Sequence, residues 1–271
     1  MKVSFVSDIH LENEYQNLPG GEVLILAGDI CEAKNLVKDF NSTRPEQYTP
    51  GTFPYYDFFY TECAKYERVF YVMGNHEHYR GRFDQTYDKL KTVLPSNVTL
   101  LENEVVEHNG VVFLGATLWT NCNNGDSLTA FHLKNMMNDY RVIRNHYVDK
   151  DVYHKLTPEH TFLTHVKTMK YFRTVLSMHR DKPVVVITHH APTYKSISPQ
   201  FINDTLMNGG YASNLSEDIL DNNNIKYWIH GHIHDPVNYE VGDCTVMSNP
   251  KGYAGWDLNF GSFNPDLTID V

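Results

Sequence analysis

Residues 67–77 read ERVFYVMGNHE. An unbroken apolar run from Val69 to Met73 ends abruptly at glycine, an amide, an imidazole and a carboxylate. A continuous run of this length, rich in Val, Phe and Tyr, predicts a strand buried on both faces. The polar tail predicts that the strand delivers chemistry at its C-terminal end. The same pattern recurs along the chain. KVSFVSD ends at Asp8, EVLILAGD at Asp29, KPVVVITHH at His189 and His190, and IKYWIHGHIH at three alternating histidines, His230, His232 and His234. Buried strands of one sheet type, each ending in a polar group, predict an α/β fold with ligands at the carboxyl edge.

Helices are expected between the strands. Residues 158–180 show the clearest one, with Thr157 and Pro158 suited to the cap and first position. Phe162, Val166, Met169, Phe172 and Leu176 make its apolar stripe. Residues 54–66 and 214–223 are further candidates. Residues 98–116 read as strands joined by tight turns, one at Asn109-Gly110, and a late hairpin is expected around Gly242-Asp243. Residues 117–157 are polar and irregular and predict a lid or insertion over one end of the sheets. The 271 residues otherwise read as a single domain, 1–271.

Composition narrows the function. The net charge is −10, which counts against nucleic acid as a partner, because that binding draws on Lys and Arg. No apolar stretch is long enough to span a bilayer, so no membrane partner is expected. The N-terminus begins at once as a strand. The four cysteines are scattered with no CxxC pair, which suits reduced thiols and a cytoplasmic location. Fifteen histidines are many and point toward metal.

The strand-end groups are Asp8, His10, Asp29, Asn75, His76, His189, His232 and His234, with no thiolate among them. Oxygen mixed with imidazole suits Mn, Fe, Zn or Co rather than calcium or a thiolate zinc site. The donors outnumber those one tetrahedral ion takes, so two ions sharing a carboxylate are expected.

In order, DIH (8–10), GD (28–29), GNHE (74–77), THH (188–190) and GHIH (231–234) resemble the motifs of the calcineurin-like metallophosphoesterases. The resemblance implies a four-layer αββα sandwich of two mixed sheets flanked by helices, with two divalent metal ions at the sheet edge. Manganese is favoured, with Fe, Zn, Co or Ni as alternatives. It assigns Asp8, His10 and His234 to the first ion, and Asn75, His232 and a histidine of THH to the second, His189 in preference to His190. Asp29 is the bridging carboxylate, and His76 is the general acid on the leaving group. The implied reaction is hydrolysis of a small phosphomonoester or phosphodiester, such as a nucleotide, by in-line attack of a metal-bridging hydroxide. One departure stands out. The run GDICE places Glu32 where the family commonly has an aspartate that orients the catalytic histidine, so Glu32 is expected to orient His76. His78, Tyr79 and Arg80, just after the motif, are candidates for substrate contact, and NPKGY (249–253) for a place beside the site. His230 matches no ligand position and is expected to pack.

Other histidines (His108, His132, His146, His154, His160, His165, His179) read as hairpin, insertion or helix surface. The aromatic run YTPGTFPYYDFFY (48–60) reads as helix packing rather than a base-stacking platform. Two other readings on the same motifs are a non-catalytic binding scaffold, which a broken ligand set would mark, and a nuclease, which a basic stripe would mark.

Overall fold

The computed structural model describes residues 1–43, 48–145, 154–257 and 259–271. His146 lies outside the described residues, as does part of the 117–157 segment. Along the chain run β1 (Lys2–Val6), β2 (Gly21–Ala27), α1 (Ala33–Ser42), α2 (Pro54–Asp57), β3 (Tyr66–Val72), α3 (Thr86–Val93) and β4 (Val98–Leu100). Then come β5 (Glu104–His108), β6 (Val111–Ala116), α4 (Cys122–Gly125), α5 (Ser127–Met136), α6 (Asp139–Val142), β7 (Arg144–Asn145), β8 (His154–Lys155) and α7 (Pro158–Met178). The chain closes with β9 (Val184–Thr188), α8 (Thr205–Asn208), α9 (Ser216–Leu220), β10 (Ile225–His230), β11 (Asn238–Val241), β12 (Cys244–Ser248) and β13 (Thr268–Asp270).

Two mixed sheets form, in strand order β13-β1-β2-β3-β4 and β11-β12-β10-β9-β6-β5. The central strands of each sheet are parallel, and the antiparallel partners β13, β11 and β5 sit at the edges. Strand alternation sorts the apolar residues into three layers. Along β2, Val23, Ile25 and Ala27 face the second sheet, while Leu24 and Leu26 face the helices. Between the sheets, Phe70 stacks on Phe113 with centroids 4.3 Å apart. Outside the first sheet, Leu36, Phe58, Phe59 and Leu90 cover Leu24, Val69 and Tyr71. Outside the second, Met169, Phe172, Leu176 and Ile219 cover Val112, Val184, Val186 and Trp228. Helices, sheet, sheet and helices make the four-layer αββα arrangement, as expected. Core burial on this scale, at about 25 cal/mol per Å² of apolar surface, dominates the folding energy.

Local expectations hold with two adjustments. Thr157 caps α7 and forms a capping box with His160, and Pro158 opens the helix. The buried stripe of α7 is rotated from the expected one. Met169, Phe172 and Leu176 are buried, but Val166 is 48% exposed, and Thr161, His165 and Val175 are buried in its place. The small polar Thr161 meets the buried Tyr140 hydroxyl, so packing against the insertion sets the helix rotation rather than hydropathy alone. His165 is therefore not a surface residue. Residues 54–65 are helical, but the turn widens over Phe58–Glu62 so that Phe58 and Phe59 are both fully buried. The aromatic run 48–60 packs helix on sheet, with Tyr56 stacked on Tyr60 at 4.2 Å. The hairpins at Asn109-Gly110 and Gly242-Asp243 form as expected.

Candidate metal centre and active site

Because the central strands are parallel, their carboxyl ends lie along one edge, and every candidate ligand arrives there. Asp8 and His10 follow β1, Asp29 follows β2, Asn75 and His76 follow β3, His189 follows β9, and His232 and His234 follow β10. Five of these residues adopt left-handed backbone conformations: Asp8, His10, Asp29, His232 and His234 have φ between 48° and 69°. Such conformations cost energy in non-glycine residues and cluster at functional sites. GHIH is thus a turn rather than the extended segment that alternate spacing suggests. Both histidines still face the site, through backbone strain instead of strand parity.

The atoms converge. His234 Nε2 lies 3.3 Å from Asp8 Oδ1 and 3.2 Å from His10 Nε2. His189 Nε2 lies 3.3 Å from Asp29 Oδ2 and 3.0 Å from Asn75 Oδ1. Asp29 Oδ2 also stands 4.0 Å from His10 Nε2 and 3.9 Å from His76 Nε2, between the two groups. Among the described residues three groups could hold a metal ion: the two clusters Asp8/His10/His234 and Asp29/His189/His232, and His10/Glu12/His76, which shares His10 with the first. The side chains fit cations there. His232 Nε2 is buried with no hydrogen-bond partner, an arrangement that costs energy unless something occupies it. Outer nitrogens are tied down in the way metal-bound histidines require. His189 Nδ1 donates to the Ala27 carbonyl at 2.9 Å, and His234 Nδ1 to Asp257 at 2.7 Å.

The electrostatics follow from burial and pairing. Burial pushes His232 well down. Burial is the largest influence on His76 and His189 and opposes their charge, but Asp29 together with the other carboxylates and hydrogen bonds around them outweighs it and lifts each to about 9. His234 rises against burial to about 10 beside Asp8.

Glu77, the last residue of GNHE, sits beneath the site. Its carboxylate accepts backbone N–H groups of Asp29, Ile30 and Gly74 and the Tyr71 hydroxyl. It therefore clamps the β2 and β3 turns together. Gly74 must be glycine, because a Cβ there would overlap the Asp29 carboxylate.

Glu32 does not orient His76. It stands at the start of α1, where Arg80 and Lys34 take its two oxygens. Glu12 takes that place. Its Oε1 is 3.2 Å from both His76 Nδ1 and His10 Nδ1. Glu12 lies two residues beyond His10, and that proximity was its one signal in sequence. Of the three residues expected to touch substrate, Tyr79 lines the cavity and stacks on His76 at 4.0 Å. His78 turns away, buried against Phe83 and Trp119, and burial pushes it to about 3. Arg80 is held by Glu32 and is not on the cavity wall. His190 hydrogen-bonds the Thr117 carbonyl, outside both clusters. His230 packs, meeting Ser196 Oγ at 2.9 Å.

NPKGY does sit beside the site. Lys251 and Gly252 N–H groups bond the Ser7 and Asp8 carbonyls, and Tyr253 stacks on His10 and meets His76 Nε2 at 3.1 Å. Asp139 and Asp257 had no sequence signal. Asp139 comes from the 117–157 segment, is 2% exposed, and is raised to about 6 by burial. A cavity of about 480 Å³ opens over the clusters. Met136 to Asp139 form part of its wall, so the segment borders the site.

These features define an αββα sandwich whose carboxyl edge carries His/Asp clusters fit to hold metal. The sequence profile of the calcineurin-like phosphoesterases matches residues 1–236, and the chain belongs to that family. An uncharacterized protein of Acanthamoeba polyphaga mimivirus is 29% identical over 228 residues, 79% of this chain and 77% of the relative. Among solved structures, phosphopantetheinyl hydrolase from Mycobacterium tuberculosis superposes with a TM-score of 0.62 at 14% identity, over 93% of this chain and 89% of that one. That likeness is one of fold. β12, β13, Tyr253 and Asp257 lie beyond the matched residues yet complete the sheets and the site. Among the described residues no helix is long and apolar enough to cross a membrane.

Proposed function

We propose that the chain hydrolyses a small phosphate ester using two divalent cations, manganese by preference with Fe, Zn, Co or Ni able to substitute. Asp8, His10 and His234 would hold one ion and Asn75, His189 and His232 the other, with Asp29 between them. Bound there, the cations supply charge neutralisation on the phosphoryl oxygens and a nucleophile at neutral pH. His76 is the general acid. Glu12 holds its Nδ1, so Nε2 points at the cavity, and with a pKa near 9 it carries a proton there at neutral pH. Tyr253 touches the same nitrogen and keeps the ring from turning.

The observation that carries this reading is the convergence of His10, His76 and His189 Nε2 within 4.0 Å of one Asp29 oxygen. The cavity volume suits a small molecule. We also read residues 1–271 as one domain. The four cysteines are free and buried, which supports a reducing, cytoplasmic setting.

The test is hydrolysis of bis-p-nitrophenyl phosphate and p-nitrophenyl phosphate with added Mn²⁺. Their ratio reports ester type, and hydrolysis of neither under any divalent metal overturns the reading. His76→Ala should keep its metal and lose about 10²–10⁴ in turnover; a metal-free variant would refute the assigned role.

A further inference from the structure

The wall of the cavity away from the clusters has an unusual chemistry. Among the described residues that line it there is no lysine or arginine. Several cations near it along the chain are engaged elsewhere: Arg80 by Glu32, Arg82 by Asp84, Lys251 by Glu14, Arg141 by the Asn135 carbonyl and Lys195 over the Tyr239 ring. Acids are present instead. Asp139 is buried with its carboxylate against the Asn75 side chain, and its Oδ1 has no hydrogen-bond partner. Asp204 stands at the rim, where it caps α8. Aromatic Phe201 and Tyr211 line the same wall, beside apolar Met136, Met137, Ile197 and Met207.

A buried carboxylate oxygen without a donor is costly, and a donor from a ligand would remove that cost. Acids and aromatic faces together, with no lysine or arginine and with the basic histidines confined to the cluster side, favour a cation over a second anionic group. We propose that Asp139 reads the substrate, and that the cavity takes phosphate esters whose organic part carries a positively charged amino group. The phosphoryl group would sit over the clusters and the ammonium would reach Asp139 and the aromatic wall. This rests on the phosphoesterase reading above. It disfavours esters with a further phosphate or carboxylate, for which the wall offers no counter-charge.

Binding tests it without turnover. Three non-hydrolysable probes of similar size are titrated calorimetrically into the Mn²⁺-loaded protein: 2-aminoethylphosphonate, propylphosphonate and carboxymethylphosphonate. The amino compound is expected to bind about tenfold or more tightly than the propyl compound, and the carboxylate weakest. In Asp139→Asn the amino and propyl compounds should come within about twofold, while Asp139→Glu should retain the amino preference. Equal binding of the first two by the wild type, or a preference for the carboxylate, overturns the proposal. So does an Asp139→Asn protein that weakens both probes alike and keeps the preference, because Asp139 would then serve only to hold its neighbour Asn75. The p-nitrophenyl assay judges the phosphoesterase reading separately. Failure there with an intact amino preference would leave a binding site for aminoalkyl phosphates.

Discussion

Glu12→Gln tests which carboxylate orients His76, the proposed general acid. One Glu12 oxygen stands 3.2 Å from both His10 Nδ1 and His76 Nδ1. Burial opposes its charge, but the two imidazoles hold its pKa down to about 2. The amide replacement keeps one acceptor and loses the charge. His76 is lifted from 6.5 to about 9, a net of roughly 3 kcal/mol at about 1.4 kcal/mol per unit. Burial works against that shift, Asp29 supplies the largest favourable part, and Glu12 the next. A hydrogen bond to a charged group is worth about 1.5–3 kcal/mol, so the Glu12 share is about 1.5–2.5 kcal/mol. Converted at about 1.4 kcal/mol per decade, turnover should fall roughly 10- to 60-fold. The assay is steady-state hydrolysis of bis-p-nitrophenyl phosphate, with bound metal quantified on the same samples. The pH profile should also shift, with the falling alkaline limb moving to lower pH as the imidazolium loses support. Glu32→Gln, which breaks only the Arg80 and Lys34 pairs, should cost less than about threefold. A Glu12→Gln protein within twofold of wild type, or a Glu32→Gln protein equally impaired, refutes the assignment.

Gly74→Ala should empty at least one metal position and cost more than about 100-fold in turnover, because the new methyl would occupy the Asp29 carboxylate's place. Gly110→Ala, in open space at φ +82°, should cost about 1 kcal/mol of stability and no metal, and metal analysis with urea melts distinguishes the two. Burial lowers His165 from 6.5 to about 4. A histidine lowered on folding stabilises above pH 6.5, and that contribution disappears as pH falls toward 4. By pH 5 the loss is about 2 kcal/mol. The stability gap between wild type and His165→Leu should therefore shrink by about that amount from pH 7 to pH 5, and a pH-independent gap in urea unfolding would disprove it.

Some of this architecture was legible without coordinates. Apolar runs ending in Asp8, Asp29, Asn75, His189 and His232 located the strands and their polar ends, because a parallel strand buried on both faces is predominantly apolar until it leaves the sheet. The hairpins at Asn109-Gly110 and Gly242-Asp243 were equally local, since the turn needs residues that tolerate positive φ. The rotation of α7 was not, because Thr161 and His165 are buried by partners from the insertion that hydropathy does not register.

The sequence by itself determined the fold class, the types of the candidate donors and the order in which they come. Those properties reside in runs of a few residues, where periodicity and composition are read directly. Tertiary structure alone decided which carboxylate serves which imidazole. Glu32 and Glu12 are the same residue type, and both lie just beyond a ligand motif. Only the crossing of chain segments puts Arg80 against the first and His76 against the second. Asp139 and Asp257 reach the site from 64 and 23 residues away from Asn75 and His234, respectively. Nothing local marks them, because their chemistry comes from burial beside those partners rather than from their neighbours in the chain.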